Sequence, residues 1–336
     1  MLQDHPLIEV VGLAVDGLDG IQKIKQLRPD VVTLDVEMPR LNGIGVLERA
    51  AGKVPVSFVM VSSLTQAGAR VTFEALDKGA FDYVAKPSSA RVDDSAEFRI
   101  RLQQKVIAAA RAKGRARPVK STAAPTSAPT LPPSKARGWV VAIGISCGGP
   151  QTLTKMLPAF PSDFPPILVT QHMPASFTAS FAKHLDAACG MHVKEAEHAE
   201  QVTSGTIYIA PGGRHMRLVR KGVNLCVGLD DGPKVSGHRP SVDVLFSSVA
   251  RTCGQRSIGV IMTGMGSDGA AELATMRRGG AWTVAQDRKT SLVYGMPMEA
   301  VKLDAADHVV ALGNIPLTIS KLLIGGVKKT TAPSNI

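Results

Sequence analysis

Three side chains in the C-terminal half of the chain have the types that hydrolysis of an acyl group requires. Ser146, His172 and Asp268 each follow an apolar run, and a glycine-rich turn lies between the last run and the aspartate. A serine can act as nucleophile, a histidine as its base and an aspartate as the group that orients the imidazole. Together these types indicate acyl transfer if the fold brings them to one place.

The apolar runs predict the elements that would bring the three side chains together. Residues 139–145, 166–171 and 257–263 are continuous stretches rich in valine, isoleucine and leucine. Such stretches are typical of parallel strands that are covered on both faces. Ligands of parallel sheets bind at the carboxyl ends of the strands. We therefore expect the serine, the histidine and the aspartate to meet at one edge of a sheet.

Each signal also has an ordinary structural interpretation when it is taken alone. Residues 144–148 match the G-x-S-x-G pattern of a nucleophile on a strand-to-helix turn, but any tight turn favours the same glycines. His172 could be a hydrogen-bonded structural residue, and Asp268 could be a helix N-cap. Their shared position at strand ends favours catalysis, although the order Ser-His-Asp is not that of α/β-hydrolases. Cys147 stays open as a rival nucleophile.

Length and composition favour a globular protein of two domains, and the location of the charge argues against a nucleic-acid-binding protein. The 336 residues exceed the usual size of one hydrophobic core, and the formal net charge is +11. This excess lies between Phe98 and Ser162, where there are eleven Lys and Arg and no Asp or Glu. The remaining chain is neutral and contains no helix-turn-helix or aromatic basic stripe, so no nucleic-acid partner is predicted.

Targeting and metal-binding signals are missing from the sequence. The four cysteines form no C-x-x-C pair, and the eight histidines form no H-E-x-x-H motif. The first residues lack the basic and apolar regions of a signal peptide, and no apolar run approaches the roughly 18 residues of a membrane span. We therefore expect a cytoplasmic location, no membrane insertion and no metal in the hydrolytic domain.

Strand and helix signals divide the chain into two predicted domains. Residues 1–105 alternate between them, with strands at 8–15, 31–36, 56–61 and 82–87 and helices at 18–27, 43–51, 66–78 and 93–113. The other segments are 106–137 (a helix end and a basic Pro/Ala/Ser/Thr-rich linker), 138–326 (a second domain) and 327–336 (a polar tail). The predicted fold class is α/β, with two doubly wound parallel-sheet domains joined by a flexible linker.

The second domain contains five motifs, at 143–150, 171–174, 209–216, 238–246 and 262–270. Together they closely resemble the chemotaxis protein-glutamate methylesterase and glutamine deamidase family, the CheB family. The resemblance implies a Rossmann-like methylesterase domain in which Ser146 is the nucleophile, His172 the general base and Asp268 the group that orients the imidazole.

Other residues of these motifs are candidates for the oxyanion hole or the cleft. They are Cys147, Met265, Gly266 and Arg239, because the glycine-rich turn could present backbone N–H groups to a developing oxyanion. The family commonly has threonine where this chain has Cys147, and a thiol is only a weak donor, so no side-chain contribution is expected there. No role is derived from the residues for Arg214, His215 and Arg239. They could line the cleft or bind an acidic helix of the receptor, but ordinary surface ion pairing is the preferred interpretation.

Residues 33–39, 62–63 and 83–87 resemble a two-component receiver domain. The resemblance implies that Asp35 accepts a phosphoryl group, that Lys86 pairs with it, that Ser62 senses it and that Tyr83 rotates in response. A carboxylate at a strand end, with a lysine and a hydroxyl nearby, suits a phosphoryl group.

The start of the receiver-like domain departs from that pattern. Receivers open with a strand whose acidic pair holds Mg²⁺, whereas residues 8–15 look like the second strand. The resemblance therefore implies a receiver that lacks its first strand, which is central in the usual strand order, and the usual metal ligands. We expect weak phosphorylation of Asp35 or none, and impaired Mg²⁺ binding. A misplaced start codon would explain the pattern equally well.

The resemblance implies a cofactor-independent hydrolase of chemotactic adaptation. Its substrates would be glutamate methyl esters, and also glutamines, on the cytoplasmic domains of methylated chemoreceptors. Its phosphodonor would be the chemotaxis histidine kinase, but the incomplete receiver argues against efficient phosphorylation by this kinase. Two alternatives stay open, a general serine esterase and a non-catalytic two-component regulator. A DNA-binding response regulator is disfavoured because no segment resembles a recognition helix.

Overall fold

The computed structural model describes residues 1–63, 65–87, 92–112 and 137–327. The chain forms two compact units, Met1–Thr122 and Ala123–Ile336. Most of the predicted linker and nearly all of the predicted polar tail lie outside the described residues. Each unit is a parallel α/β structure, which confirms the predicted fold class.

The first unit has a parallel sheet with the strand order β1-β2-β3. Its elements are α1 (Gly17–Leu27), β1 (Val31–Asp35), α2 (Gly43–Ala50), β2 (Ser57–Ser62), α3 (Gln66–Asp77), β3 (Asp82–Ala85) and α4 (Val92–Arg111). Phe58, Met60 and Phe81 are buried in its core. All seven elements lie within two residues of their predicted bounds.

The predicted strand at 8–15 is wrong. Within the described residues this segment pairs with no strand, and Leu13 and Val15 are 80% and 78% exposed. Side chains of α1 bind its main chain instead, since Asp19 accepts from the Val15 amide at 2.9 Å and Lys23 donates to the Leu13 carbonyl. Alternating apolar residues favour a strand only where a neighbouring strand can satisfy the main-chain groups.

The first unit extends beyond the predicted boundary at residue 105. Helix α4 continues to Arg111, and Val106, Ala109 and Ala112 on its last turns are buried. The buried Ser57 hydroxyl donates to the Ala109 carbonyl at 3.1 Å. The helix end that was predicted within 106–137 therefore packs in the core of this unit.

The second unit contains seven parallel strands in the order β12-β11-β10-β4-β5-β7-β6 and an antiparallel hairpin, β8–β9. Its strands are β4 (Val140–Ile145), β5 (Ile167–Gln171), β6 (His192–Glu195), β7 (Thr206–Ile209), β8 (His215–Lys221), β9 (Asn224–Asp230), β10 (Ser257–Ile261), β11 (Trp282–Gln286) and β12 (His308–Val310). Its helices are α5 (Gly149–Met156), α6 (Ala175–Asp186), α7 (Val242–Cys253), α8 (Ala270–Arg278), α9 (Met296–Lys302) and α10 (Ile315–Gly325). Short 3-10 turns lie at Leu157–Ala159, Gly254–Arg256 and Leu312–Asn314.

The three strands predicted from apolar runs are neighbours in this sheet. Strand β4 lies between β5 and β10, and every residue of the three strands is buried. Ile145 at the end of β4 aligns with Gln171, and Gly144 aligns with Ile261. The segments that follow β4, β5 and β10 therefore leave the sheet side by side, at the edge where parallel sheets bind ligands.

Helix α7 is attached to the β8–β9 hairpin by a buried serine. The Ser248 hydroxyl accepts from the Leu218 amide at 2.9 Å and donates to the Leu245 carbonyl at 2.7 Å. Its removal leaves a buried N–H without a partner, which costs about 1–3 kcal/mol. We predict that Ser248→Ala lowers the free energy of unfolding of the second unit by this amount.

Tryptophan fluorescence during urea unfolding measures this change, because both tryptophans, Trp139 and Trp282, belong to the second unit. Ser247→Ala is the matched control, since the neighbouring Ser247 only accepts from Arg251 on the exposed side of the same helix. Equal effects of the two substitutions would contradict the prediction.

Candidate active site

Ser146 stands on a tight turn between β4 and α5. Its amide donates to the Thr263 carbonyl at 3.0 Å, and its own carbonyl accepts from the Gly149 amide at 2.9 Å. Gly148 has φ of +72°, where a Cβ would lie 2.9 Å from the Cβ of Leu292. Glycine is therefore required at position 148, because the backbone is left-handed there and because a side chain would clash with Leu292. The turn presents the serine at the carboxyl edge of the sheet.

The structure brings Ser146, His172 and Asp268 together. The Nδ1 atom of His172 lies 3.0 Å from Ser146 Oγ, and its Nε2 atom lies 2.7 Å from Asp268 Oδ2. The imidazole is 9% exposed and the carboxylate 1%. The order of the two ring nitrogens is the reverse of that in chymotrypsin-like triads, but either nitrogen can act as the base when the other donates to a carboxylate.

The carboxylate of Asp268 accepts four hydrogen bonds. Besides His172, the donors are the Ser241 hydroxyl at 2.8 Å and the amides of Val242 and Asp243 at 2.8 and 3.0 Å. Those amides begin helix α7, so Asp268 caps that helix from a different part of the chain. It does not cap its own helix, because the residue at the N-cap of α8 is Gly269.

These contacts keep Asp268 ionised. Burial on its own raises the pKa of a carboxyl, but the hydrogen bond and charge of His172 and the amides of Asp243 and Val242 outweigh it and lower the pKa of Asp268 to about 2. A permanently charged carboxylate holds the N–H of His172 at Nε2. The unprotonated Nδ1 is then directed at the serine hydroxyl.

Two buried residues support the triad in ways that the sequence did not reveal. The side-chain amide of Gln171 donates to the main-chain carbonyls of Ser146 and His172 at 3.0 and 3.1 Å. These two bonds join the turn that carries Ser146 to the turn that carries His172. His215 accepts from the Ser241 amide at 3.3 Å through Nδ1, and its Nε2 donates to the Pro233 carbonyl at 2.9 Å. His215 is 1% exposed, so the predicted surface pairing is wrong for it. A serine directly before an apolar helix, here Ser241, is an N-cap signal that could have been found.

The glycine-rich turn after β10 lies against Ser146. A Cβ on Gly264 would be 2.9 Å from the Cβ of Ser146. Thr263 fixes the turn by two hydrogen bonds. Its hydroxyl donates to the Cys147 carbonyl at 2.9 Å, and its main-chain amide donates to Oε1 of Gln286 at 2.9 Å. Close approach of this turn to the serine therefore depends on glycine at position 264.

The arginines of these motifs lie away from the hydrogen bonds of the triad. Arg239 donates to the carbonyls of Asp231 and Gly232 at 2.8 and 2.9 Å, and Arg214 pairs with Asp231 at 2.9 Å. Both arginines therefore stabilise the loop that follows β9. The surface pairing expected for Arg214 agrees with this geometry.

The receiver-like unit brings two of its four predicted site residues into contact. Lys86 donates to Asp35, and the Glu37 amide donates to the same carboxylate at 3.2 Å. The Ser62 hydroxyl is buried and donates to the Gly68 carbonyl at 3.2 Å, and no bond joins it to Asp35 in the structure as described.

Tyr83 lies inside the first unit rather than at its surface. It is 4% exposed, and its ring packs edge-to-face on Phe73 with centroids 6.4 Å apart. Burial and the charge of Asp82 raise the pKa of the Tyr83 phenol. Lys105 lies over the ring at 4.9 Å and pairs with Asp82 at 2.8 Å. Strand β3 and helix α4 together hold this inward position.

The described ranges contain neither a candidate metal site nor a membrane-spanning helix. There, no group of three or more His, Cys, Asp or Glu side chains is placed to hold a metal ion. No helix of those ranges is long and apolar enough to span a membrane.

Comparison with known proteins shows the family to which the chain belongs. The family profile described as CheB methylesterase matches residues 141–319, and the profile described as Response regulator receiver domain matches residues 1–96. The chain belongs to the CheB methylesterase family. The two profiles fall on the two units of the structure, and the first match includes all three triad residues.

Curated members of the family are similar to the chain over nearly its whole length. The protein-glutamate methylesterase/protein-glutamine glutaminase of Chromohalobacter salexigens is 46% identical over 324 residues, which are 96% of this chain and 90% of that protein. The protein-glutamate methylesterase/protein-glutamine glutaminase 2 of Bordetella avium is 47% identical over 313 residues, 93% of this chain and 89% of that protein.

A solved structure resembles the second unit. The crystal structure of the Thermotoga maritima CheB methylesterase catalytic domain has a TM-score of 0.54 and 38% sequence identity, and it covers 55% of this chain and 98% of that domain.

A second carboxylate beside the triad makes the stability of the second unit depend on pH. Asp243 accepts from the Ser236 hydroxyl at 2.7 Å and from the Gly269 amide at 2.9 Å. Burial and the charge of Asp268 raise the pKa of Asp243, whereas the hydrogen bond from Ser236 lowers it. The net result is a pKa of about 6. The folded state therefore binds this proton more tightly than the unfolded state, whose carboxyl has the ordinary value near 3.8.

We predict that protonation of Asp243 stabilises the folded state. This stabilising contribution is fully present below about pH 3.8 and is lost as the pH rises through about 6. The contribution of Asp268 has the opposite sign and is complete above its ordinary pKa, near 3.8. Asp243→Asn keeps an acceptor for the Gly269 amide and does not titrate. Urea unfolding followed by tryptophan fluorescence is expected to show a smaller loss of stability between about pH 4 and pH 7 in this variant.

Asp231→Asn is the matched control, because Asp231 lies in the loop before α7 and its side chain is 72% exposed. Its pH dependence should equal that of the parent chain. An unchanged pH dependence in Asp243→Asn would contradict the assignment.

Proposed function

We propose that the chain hydrolyses glutamate γ-methyl esters on the cytoplasmic domains of chemoreceptors and deamidates glutamines there, with Ser146 as nucleophile. One observation carries the proposal: a continuous path of hydrogen bonds from Ser146 through His172 to the buried Asp268. The activity is the one for which its close relatives are named. A cytoplasmic location belongs to the same proposal.

The geometry supports a two-step acyl transfer. Ser146 Oγ attacks the γ-carbonyl carbon while His172 Nδ1 takes the hydroxyl proton, and the C–O bond to the methoxy group then breaks as His172 returns that proton to the leaving oxygen. Methanol departs and an acyl-serine remains. Water then attacks this ester by the same proton route, which frees a glutamate carboxylate and Ser146. Glutamine follows the same steps with ammonia as the leaving group.

The turn that faces Ser146 supplies donors for the developing oxyanion. The amides of Met265 and Gly266 follow Gly264, and no partner for either of them occurs among the residues that the structure describes. We assign these amides, with the amide of Cys147, to the oxyanion hole. Backbone donors fixed in advance typically contribute about 3–4 kcal/mol to such a transition state. Arg239 is assigned to the wall of the cleft.

The site disfavours one of the two rival functions, and a substrate comparison tests the other. A non-catalytic regulator would need neither the ionised, fully hydrogen-bonded Asp268 nor an imidazole aligned between two partners. A general serine esterase would share the triad. Hydrolysis of free small esters as efficiently as of methylated receptor would favour that alternative.

We predict that Ser146→Ala abolishes methanol release from methylated receptor membranes, with a loss on the order of 10⁶ in kcat, because no other group replaces the nucleophile. Ser247→Ala serves as the matched serine control and should retain the activity of the parent chain. Cys147→Thr should remain active, since the thiol is not the nucleophile. Substantial methanol release by Ser146→Ala, or loss of methanol release in Cys147→Thr, would contradict the assignment.

For the first unit we propose that Asp35 is a phospho-acceptor paired with Lys86 and that a histidine kinase is its donor. The residues present do not fit a Mg²⁺ site. Lys86 and the Glu37 amide already bind Asp35, and the Asp16 carboxylate caps α1 and pairs with Arg40. We therefore assign no step to a metal in this unit.

We predict that treatment of the full chain with acetyl phosphate and Mg²⁺ labels Asp35 to well below one phosphoryl group per chain. The metal normally neutralises the charge that develops in phosphoryl transfer. Intact-mass spectrometry measures the label, and Asp35→Asn is the control that should lose it. Stoichiometric labelling that disappears in Asp35→Asn would show a competent receiver and contradict the prediction.

A further inference from the structure

We propose that His238 is a positioning residue for catalysis, which fixes the tilt of the His172 imidazole. The proposal rests on the proposed function, in which His172 is the general base. It rests also on one contact: the rings of His172 and His238 are stacked, with centroids 3.7 Å apart and an angle of 9° between their planes. His238 takes part in none of the hydrogen bonds that join Ser146, His172 and Asp268.

The hydrogen bonds of His172 leave one rotation of its ring poorly defined. Ser146 and Asp268 contact the two ring nitrogens, which are separated by the single carbon Cε1. These two bonds determine the direction of the line through the nitrogens but resist rotation about that line only weakly. A ring stacked face to face opposes this rotation, because tilting separates the two surfaces. The nitrogen lone pair at Nδ1 must point at the serine proton for transfer to be efficient.

The stack also covers one face of the base. His172 is 9% exposed, and the neighbouring ring occupies one of its faces at van der Waals distance. When His172 takes the serine proton it becomes a cation, and an aromatic face next to a cation is favourable. The contact can therefore assist the charged state that exists only during the reaction, rather than the binding of the ester.

A tight turn of four residues carries His238. Its ends are joined by two main-chain bonds, from the Val235 amide to the His238 carbonyl at 3.0 Å and from the His238 amide to the Val235 carbonyl at 2.9 Å. Ser236 and Gly237 between them have φ of +51° and +80°, as the central residues of a type I′ turn do. Such a turn is compact and fixes the direction of the residue that follows it.

Side chains attach this turn to the same helix end that binds Asp268. The Ser236 hydroxyl donates to Asp243 at 2.7 Å, and Asp243 accepts from the Gly269 amide, next to Asp268, at 2.9 Å. Arg239 donates to the carbonyls of Asp231 and Gly232 on the other arm of the loop. The two rings that stack are therefore both held from the N-terminus of α7, one through Asp268 and the other through Ser236.

The experiment compares His238→Ala with His238→Phe in the full chain. Methanol release from methylated receptor membranes gives kcat and KM separately. We expect His238→Ala to lower kcat by about tenfold, with KM changed by less than about twofold, because the stack acts on the base and not on the substrate. His238→Phe retains a planar ring and should stay within about threefold of the parent kcat.

A second readout does not depend on the receptor. The rate at which a fluorophosphonate labels Ser146 reports on activation of the nucleophile by His172, and it should fall in His238→Ala in proportion to kcat. Ser236→Ala loses the bond to Asp243 and should give a smaller decrease in both rates. Urea unfolding followed by tryptophan fluorescence establishes whether each variant is folded. If His238→Ala does not fold, Ser236→Ala tests the proposal in its place.

Three outcomes would overturn the proposal: parent-like kcat in His238→Ala, equal losses in the alanine and phenylalanine variants, or a change confined to KM. Failure of the proposed function is a separate result, because Ser146→Ala would then stay active. An inactive Ser146→Ala together with a fully active His238→Ala would refute only the role of His238.

Discussion

A carboxylate buried between a helix end and an imidazole is the interaction on which the catalytic unit depends. Asp268 accepts two bonds at each oxygen, from His172, Ser241 and the first two amides of α7. An unpaired buried carboxylate would be strongly destabilising, whereas hydrogen bonds to a charged group contribute about 1.5–3 kcal/mol each. The same charge that orients the base therefore also satisfies a helix terminus, so function and stability share one group.

This double use explains why the site is assembled around the start of α7. That helix begins at Val242 directly after Ser241, whose hydroxyl is directed to Asp268 rather than to the helix's own amides. His215 and Ser248 attach the same helix to the β8–β9 hairpin. Positional errors at the helix end would be transmitted to both the carboxylate and the turn that carries His238. A rigid support of this kind keeps catalytic atoms within the short tolerances that proton transfer requires.

The sequence predicted the parts of the site that depend on local pattern. Strands β4, β5 and β10 are buried on both faces, so their apolar composition identified them. Ser146 and His172 directly follow β4 and β5, and Asp268 comes after the glycine-rich turn that follows β10. The partners of Asp268 could not be predicted in this way, because Ser241 and Val242 reach it across the fold. Residues 8–15 show the reverse case. Their pattern suits a strand, but the decision depends on a neighbouring strand, and none pairs with them in the described structure.

The separation of the three catalytic side chains along the chain also bears on how the enzyme matures. Strand β4 pairs with β10 in the register Ser257↔Val140 to Ile261↔Gly144, so more than a hundred residues must be synthesised between two adjacent strands. Contacts of such long range form late and slowly during folding, since the loop that they close carries a large entropic cost. A nascent chain that has emerged only as far as α7 already contains Ser146 and His172 but has no carboxylate to orient them. The three side chains should therefore become aligned only when β10 joins the sheet, at a late stage of folding.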